Sequence, residues 1–392
     1  MNKKDIADIR KHLKLDNELL KVKDIFNVYI RQDSSEIYHE ESQPFSLLDR
    51  EQQELFMKNF KKVLSGNVDE KLFEVRFQKE AVDHTQSILY ESLQKEDIED
   101  WKEQLLLIVE KMFKDVQYEK DMVVTFIRGQ YFKPTKKGSE EAETSALDEV
   151  YDRPFILCSI NQTIQSKKSL VFDYIEKEFK SNVSVDAIIN LASPVAGFLF
   201  PCFTEGYSDV NHILYSSGKV NQPDYHFIET VLNGEEVMTA QDDKAIFEEI
   251  VKEVVGEVVD TNTLSNVYEE INRMMDVEED EDKEVPTLDY KDVERVLRVS
   301  GIEHIDTDQV ETAFQKIIDD ENYELKASGI IPKYTSKSIK IETKVANITI
   351  SPQDLKYIKQ VNYNGKRCVL IEVDEDTIIE GFRIVPETLL ND

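Results

Sequence analysis

The sequence predicts a mixed α/β (α+β) fold in two domains: an N-terminal mixed sheet with helices and a smaller C-terminal α/β domain. Three observations lead to this prediction. The chain has 392 residues, whereas one domain usually has about 100–150. Hydrophobic residues recur with both strand and helix spacing in each half. Seven successive charged residues, 278–284, separate the halves and are typical of a linker.

The N-terminal part begins with a predicted helix, a hairpin and a second helix. The first helix covers about Lys3 to Leu13, and strands at 25–30 and 36–39 flank an Asp-Ser-Ser turn. Ser46 and Asp49 resemble a capping box, which predicts that the second helix begins there.

A central sheet and a long helix are predicted next. Trp101, Leu105, Ile108 and Met112 recur on one helical face, so a helix is expected over about 96–116. Short apolar or alternating runs predict the strands of the sheet, at 73–77, 122–127, 155–160, 197–203 and 212–215.

An acidic window, residues 235–284, holds 18 Asp and Glu against 4 Lys and Arg, and so accounts for −14 of the net charge of −31. Its apolar residues form two helical stripes, at 247–258 and 264–275. We therefore predict an acidic helix pair that ends an N-terminal domain of residues 1–276. An acidic linker, 277–286, and a C-terminal domain, 287–392, are expected to follow.

The C-terminal part begins with predicted helices at 289–299 and 308–319 and continues with strands. Hydrophobic residues alternate with polar ones over 339–345. Asn364-Gly365 between apolar runs is a strong signal for a two-residue hairpin turn.

A basic segment, residues 331–371, reverses the charge of the chain locally to +6. Lysines with tyrosines between them are typical of a surface that follows phosphates and stacks on bases. We predict that these cations contact nucleic acid. The alternative is that they are scattered over the surface, because closeness in sequence does not make one patch. The predicted nucleic-acid-binding residues are Lys333, Lys337, Lys340, Lys344, Lys356, Lys359, Lys366 and Arg367.

Catalytic signatures are scarce. The sequence contains no phosphate-binding loop, no dinucleotide fingerprint and no Cys-x-x-Cys pair. Glu342-Thr343-Lys344 has the Glu-x-Lys form of metal-dependent nucleases, with 319–321 as upstream acids. Asp209, His212 and His226 near Cys202 could bind a transition metal, although packed or surface histidines are the simpler interpretation. We predict no catalytic residue, no metal and no cofactor, and favour a non-enzymatic protein.

The sequence predicts a cytoplasmic protein with no membrane segment. The N-terminus alternates charges where a signal peptide has an apolar core. The longest uncharged stretch, 187–204, has 18 residues and is interrupted by two prolines, so we interpret it as buried strands. Three widely spaced cysteines suggest free thiols in a reducing compartment.

Four stretches of sequence carry a family resemblance: Lys-Leu-Asp-Asn-Glu-Leu-Leu-Lys (14–21), Glu-Ser-Gln-Pro-Phe (41–45), Thr-Phe-Ile-Arg-Gly-Gln-Tyr-Phe-Lys-Pro-Thr (125–135) and Gly-Phe-Leu-Phe-Pro-Cys-Phe (197–203). Through them the chain resembles, nearly end to end, a bacterial family known as domain of unknown function 4317, which implies no particular activity. In its order of elements the chain is also similar to the bacterial nucleoid-associated protein family. That second resemblance implies an association with nucleic acid.

The leading functional prediction is a non-enzymatic protein that contacts nucleic acid or a nucleoprotein through the basic segment. One alternative is an acidic protein-interaction module that mimics nucleic acid or acts as an adaptor. A second alternative is a metal-dependent nuclease. Pairing of the acidic window with the basic segment could also produce a homo-oligomer.

Overall fold

In the computed structural model of the chain, the described residues are 1–79, 84–114, 116–134, 150–164, 169–182, 186–204, 207–256, 259–277, 286–302, 304–318, 323–331, 338–375, 377–379 and 382–383. They divide into two units, which we call the first unit (Met1–Thr239) and the second unit (Ala240–Asp392). Each unit is described by itself.

A large antiparallel sheet forms the centre of the first unit. Its strands follow the order β2-β1-β4-β5-β9-β12-β3, and β8 pairs with the end of β5. Two further pairs, β6–β7 and β10–β11, stand outside this sheet. The strands are β1 (Leu20–Ile30), β2 (Ile37–Pro44), β3 (Leu72–Arg76), β4 (Met122–Pro134), β5 (Val150–Ile164), β6 (Ser169–Asp173), β7 (Glu178–Asn182), β8 (Ile188–Ile189), β9 (Ala196–Phe200), β10 (Cys202–Thr204), β11 (Tyr207–Asp209) and β12 (His212–Ser217).

Helices cover both faces of the large sheet. They are α1 (Lys3–His12), α2 (Arg50–Val63), α3 (Thr85–Gln94) and α4 (Ile98–Phe113), with short turns of other helix types at Phe45–Leu47 and Phe227–Val231. One core packs against α3 and α4, and the other packs against α1 and α2. The strands supply both cores because successive side chains point to opposite faces: Phe126 lies in the first core and Ile127 in the second.

The first strand, β1, contains one extra residue. Val22 pairs with Gly129 and Asp24 with Arg128, so Lys23 has no partner in the ladder and the register shifts there. Such a β-bulge reverses the parity of a strand. Leu20, on one side of it, and Ile25, on the other, therefore pack into the same core.

A buried ion pair joins the large sheet to its helices. Arg128 donates from Nε to the Asp24 carboxylate at 2.7 Å and from its terminal nitrogens to the carbonyls of Lys95 and Glu96 at 2.5 and 3.0 Å. Its guanidinium carbon lies 4.8 Å from the centre of the Trp101 ring. These contacts fix the entry into α4 against β1 and β4.

The second unit is built on a helical core. Its helices are α5 (Ala240–Val255), α6 (Thr261–Val277), α7 (Tyr290–Val299), α8 (Thr307–Ile317) and α9 (Ala327–Ile330). Separate two-stranded ladders pair β13 (Thr287–Leu288) with β14 (Leu325–Lys326), β15 (Ile339–Glu342) with β16 (Asn347–Ile350), β17 (Ile358–Tyr363) with β18 (Lys366–Ile371), and β19 (Ile378–Ile379) with β20 (Phe382–Arg383). A 3₁₀ turn, Pro352–Tyr357, precedes β17.

The α+β fold class is confirmed, but the acidic helix pair differs from its predicted assignment. Phe247 of α5 and Ile271 of α6 share one core with Val293 and Leu325 of the C-terminal part. The division between units falls at Thr239, whereas the predicted N-terminal domain ends at 276. Amphipathicity shows that a helix has a buried face but not which core covers it. The predicted linker, 277–286, lies almost entirely outside the described residues.

Local signals located several elements correctly and missed others. The first hairpin is confirmed, with Ser35 at a positive φ in its turn. The start of α2 is not at Ser46 but at Asp49, whose side chain accepts the Gln52 N–H at 2.8 Å. The sequence did not predict α3 or the β6–β7 hairpin, and β4 and β5 are longer than expected. None of the helices in the described ranges combines the length and the apolar composition that a membrane crossing requires.

Candidate functional site

The predicted basic segment forms two hairpins of the second unit, β15–β16 and β17–β18. Lys333 and Lys337 lie outside the described residues. All six of the remaining predicted cations are exposed. Within the part of the chain that the structure describes, none of these six lies within ion-pair distance of a carboxylate. The six are Lys340, Lys344, Lys356, Lys359, Lys366 and Arg367.

The β17–β18 hairpin brings two of the lysines to one face. Asn364 and Gly365 form its turn with φ of 48° and 70°, as a type I′ turn requires. Tyr363 therefore pairs with Lys366, and Lys359 lies four residues before Tyr363 on the same face. Lys366 lies beside Tyr363 on the neighbouring strand, and Lys359 lies about 13 Å from Tyr363 along β17. We call Lys359, Tyr363 and Lys366 the hairpin triad.

Arg367 points away from the hairpin triad. It pairs with Asn362, and both lie on the opposite face of the ladder. Lys356 precedes the hairpin, with its Nζ 5.2 Å from the centre of the Tyr357 ring. The chain returns past this point, because the Glu372 N–H donates to the Tyr357 carbonyl at 2.8 Å. The predicted cations of this hairpin therefore do not share one face.

The β15–β16 hairpin separates Glu342 from Lys344. The strand ends at Glu342, and the Thr343 N–H donates to the Ala346 carbonyl at 3.0 Å to close the turn. Lys344 therefore lies in the turn and not on an alternating strand with Glu342, as the sequence suggested. The upstream acids 319–321 lie outside the described residues. The Glu-x-Lys arrangement has no strand face in common.

The candidate metal ligands Asp209 and His212 do meet, and Glu74 joins them. Their ligand atoms lie within 4.8 Å of one another. The sequence missed Glu74 because β3 is distant in sequence from β12, and only strand pairing makes the two neighbours. His226 is not one of this group; its Nδ1 lies 3.3 Å from the Thr230 hydroxyl.

Protein partners already occupy these three side chains. Glu74 pairs with the Met1 ammonium group, and His212 Nδ1 lies 2.6 Å from the Asp209 carboxylate. Burial raises the pKa of Asp209, but hydrogen bonds from the Asn211 N–H and His212 outweigh it and leave that pKa below its usual range. A cation with these ligands would have to displace an ion pair. Cys202 does not supply a thiolate, because burial raises its pKa to about 12.

Most described carboxylates of the acidic helix pair are exposed, but Asp243 is buried. Glu248, Glu249 and Glu253 of α5 are exposed, and Glu253 pairs with Lys316 at 2.7 Å. Asp243, which the helix pattern places away from the apolar stripe, is buried and accepts from the Tyr323 hydroxyl at 2.5 Å. The exposed carboxylates form an anionic face on α5.

Comparison with known families matches residues 1–382 to a family described as Domain of unknown function (DUF4317). The chain belongs to this family. No curated protein and no solved structure matches the chain. Membership in DUF4317 agrees with the resemblance found in the sequence, whereas the layout likeness to nucleoid-associated proteins has no support from these comparisons.

Proposed function

We propose that this chain is a non-enzymatic cytoplasmic binding protein that contacts nucleic acid or a nucleoprotein through the C-terminal hairpins. The hairpin triad carries the proposal. Lys359 and Lys366 are exposed and share one face with Tyr363, which is the combination that follows a phosphate backbone and offers a ring for stacking.

Among the described residues, the lack of competing ion pairs favours this role for the lysines, whereas the net charge of the chain limits the affinity. An exposed lysine paired with a carboxylate would have to break that pair before it met a phosphate, and the six described cations have no such pair to break. The net charge of −31 repels a polyanion over long range, so binding should be weak and strongly dependent on salt. Single strands fit the site better than duplex, because a tyrosine stacks only on an accessible base.

The test compares two double variants that each remove two positive charges. Lys359→Ala/Lys366→Ala alters the hairpin triad, and Lys58→Ala/Lys62→Ala alters two exposed lysines of α2. Fluorescence anisotropy with labelled single-stranded DNA and RNA measures affinity from about 50 to 200 mM salt. The triad variant should bind more weakly, and its plot of log affinity against log salt should be shallower by about 1.4 for single strands. The α2 variant should match the wild type.

Two results would contradict the proposal. One is a wild-type protein that does not bind either nucleic acid at about 50 mM salt, where electrostatic binding is strong. The other is an equal loss of affinity in the two double variants, which would mean that net charge alone determines binding. Weaker binding of nucleic acid by Tyr363→Leu, which leaves the net charge unchanged, would add evidence for stacking.

The anionic face of α5 favours a second candidate function, an acidic protein-interaction module. Glu248 and Glu249 are exposed side by side and could bind a basic partner. Glu248→Gln/Glu249→Gln and a deletion of residues 278–284 separate the helix from the predicted linker. If neither change alters the set of proteins retained in a pull-down, this candidate is excluded.

A further inference from the structure

The β6–β7 hairpin of the first unit presents an apolar face to solvent. Phe172 pairs with Phe179 and Leu170 with Ser181, so Leu170, Phe172 and Phe179 lie on one face. Tyr174, whose ring contacts that of Phe172, extends this face into the turn, and Ile175 is exposed in the same turn. Their exposed fractions are 73% for Leu170, 40% for Phe172, 85% for Tyr174, 91% for Ile175 and 73% for Phe179. We call these five residues the apolar hairpin face.

The hairpin holds its shape through its own contacts. Asp173 accepts the N–H groups of Ile175 and Glu176 at 2.8 and 3.1 Å and also pairs with Lys180. The ring of Phe172 lies 5.1 Å from that of Phe179 and 5.3 Å from that of Tyr174, centre to centre. A hairpin with a fixed turn and contacting rings loses little freedom when it binds, which favours association.

Charge on the hairpin argues against a highly charged partner. Residues 169–182 contain Asp173, Glu176 and Glu178 against Lys177 and Lys180, a net charge of −1 in a chain at −31. A polyanion or a polycation would find almost no complementary charge here. Two copies of an acidic chain repel each other least where each is nearly neutral. The charge pattern therefore favours a second copy over a polyanionic or polycationic partner.

The exposed area is sufficient for two copies to associate. Burying an aromatic side chain removes roughly 150–250 Å², so the exposed parts of the three rings provide about 400 Å² per copy. With Leu170 and Ile175 added, two such faces would bury more than about 1,000 Å² in total, the size at which specific interfaces begin.

We propose that the apolar hairpin face is a two-fold interface through which two copies of this chain associate, face against face. Because one surface meets itself, the contact closes at a dimer and does not continue into a filament. Packed sheet faces lie about 10 Å apart, which lets the rings of Phe172 and Phe179 interdigitate with those of the partner. This proposal is independent of the nucleic-acid role of the second unit.

Sedimentation equilibrium on the full chain tests the proposal. The wild type should be dimeric at micromolar concentration. Tyr174→Ser/Phe179→Asp should raise the dimer dissociation constant at least about thirtyfold, because aromatic residues at the centre of an interface carry much of its affinity. Leu47→Asp is the control: Leu47 is similarly exposed, at 71%, but lies outside the hairpin, and this variant should stay dimeric.

Two controls, the thermal melting curve and the salt dependence, show whether a loss of dimer comes from the apolar hairpin face. The altered side chains are exposed, so the circular dichroism melting curve should not change; if Tyr174→Ser/Phe179→Asp does not fold, Tyr174→Ser/Ile175→Ser in the turn replaces it. The dimer should also persist at about 500 mM salt, because apolar contacts are not screened. A dimer that dissociates in salt would instead come from acidic and basic pairing and would overturn the proposal.

Two further outcomes would also overturn it. A wild type that is monomeric at 100 micromolar protein would leave the hairpin face without a second copy. A hairpin variant that dimerises as tightly as the wild type would place the interface elsewhere. Loss of nucleic-acid binding in the Lys359→Ala/Lys366→Ala variant does not bear on the oligomeric state, so the two proposals can fail separately.

Discussion

Two antiparallel strand pairs of this protein have opposite surroundings. The β4–β5 pair has neighbouring strands on both edges and helices over both faces of its sheet. Among the residues that the structure describes, the β17–β18 pair belongs to no larger sheet, and most of its side chains are exposed. The same kind of backbone hydrogen-bond ladder thus forms part of the core in one place and holds exposed side chains at the surface in the other. Substitutions in β4–β5 should change folding, whereas those in β17–β18 should change binding.

The largest effect is expected at Arg128 of β4. Arg128→Ala leaves the Asp24 carboxylate buried without a partner, which should lower the free energy of unfolding by about 3–5 kcal/mol. Urea denaturation measures it. Asp24→Leu/Arg128→Met removes both charges and should recover much of the loss. If the double variant is no more stable than Arg128→Ala, the desolvated carboxylate is not the cause.

An identical change in the two strand pairs tests the comparison directly. Leu157 of β5 is fully buried and Leu370 of β18 is about half exposed. Leu157→Ala should cost about 2–5 kcal/mol through lost burial and an incompletely filled cavity. Leu370→Ala should cost less than about 1 kcal/mol. Equal costs in urea denaturation would show that β17–β18 contributes to the core of its unit.

The turn of β17–β18 allows a smaller, local effect. Gly365 has φ of 70°, and an added methyl group would meet no atom within 4 Å. Gly365→Ala should therefore act only through backbone strain, about 1–2 kcal/mol. Amides of β17 and β18 should exchange hydrogen faster, and the free energy of global unfolding should fall by no more than that same amount. Asn364→Asp, which tolerates positive φ, is the control and should not speed exchange.

The smallest effect concerns pH where β1 ends and β4 begins in the large sheet. Hydrogen bonds from the Gln32 N–H at 2.9 Å and the Tyr29 hydroxyl at 2.7 Å hold the pKa of Asp121 below its usual range. A carboxyl group with a lowered pKa stabilises the fold above about pH 4. This stabilisation is lost as pH falls through the pKa of the folded state. Asp121→Asn should therefore be less stable than wild type by under about 1 kcal/mol at pH 7.

The same prediction can be checked by following both proteins to low pH. The difference in unfolding free energy between the wild type and Asp121→Asn should shrink as pH falls below about 4 and through the lowered pKa of Asp121. A difference that stays constant with pH would mean that the carboxylate charge has no part in it.

Short-range signals account for the elements that the sequence located well. The Asn364-Gly365 turn, the alternation of Phe73 and Val75, and the helical stripe from Trp101 each depend on neighbours within one element. The assignment of α5 and α6 failed because their stripes were compatible with either core, and only packing against Val293 and Leu325 decided it. The β6–β7 hairpin was missed because its apolar residues are exposed. A hairpin without a buried face need not show the alternation of apolar and polar residues that predicts a strand.

The sequence predicted the lysines of the candidate site but not how their side chains are arranged. The charge reversal identified the lysines, and alternation along β18 places Lys366 and Arg367 on opposite faces. The register of β17–β18 then decides that Lys366, and not Arg367, lies across from Tyr363. Glu74 joined Asp209 and His212 through pairing of distant strands. Register and strand order are long-range properties, so a single sequence carries little information about them.

The extra residue in β1 has a consequence for how this chain can change in evolution. In a regular strand, inserting or removing one codon sends every later side chain to the wrong face. The bulge at Lys23 absorbs such a change, because Leu20 and Ile25 already occupy the same core from either side of it. Deleting Lys23 would make the ladder regular without moving Asp24 from Arg128. Position 23 is thus a place where the length of a central strand can vary while both cores keep their contents.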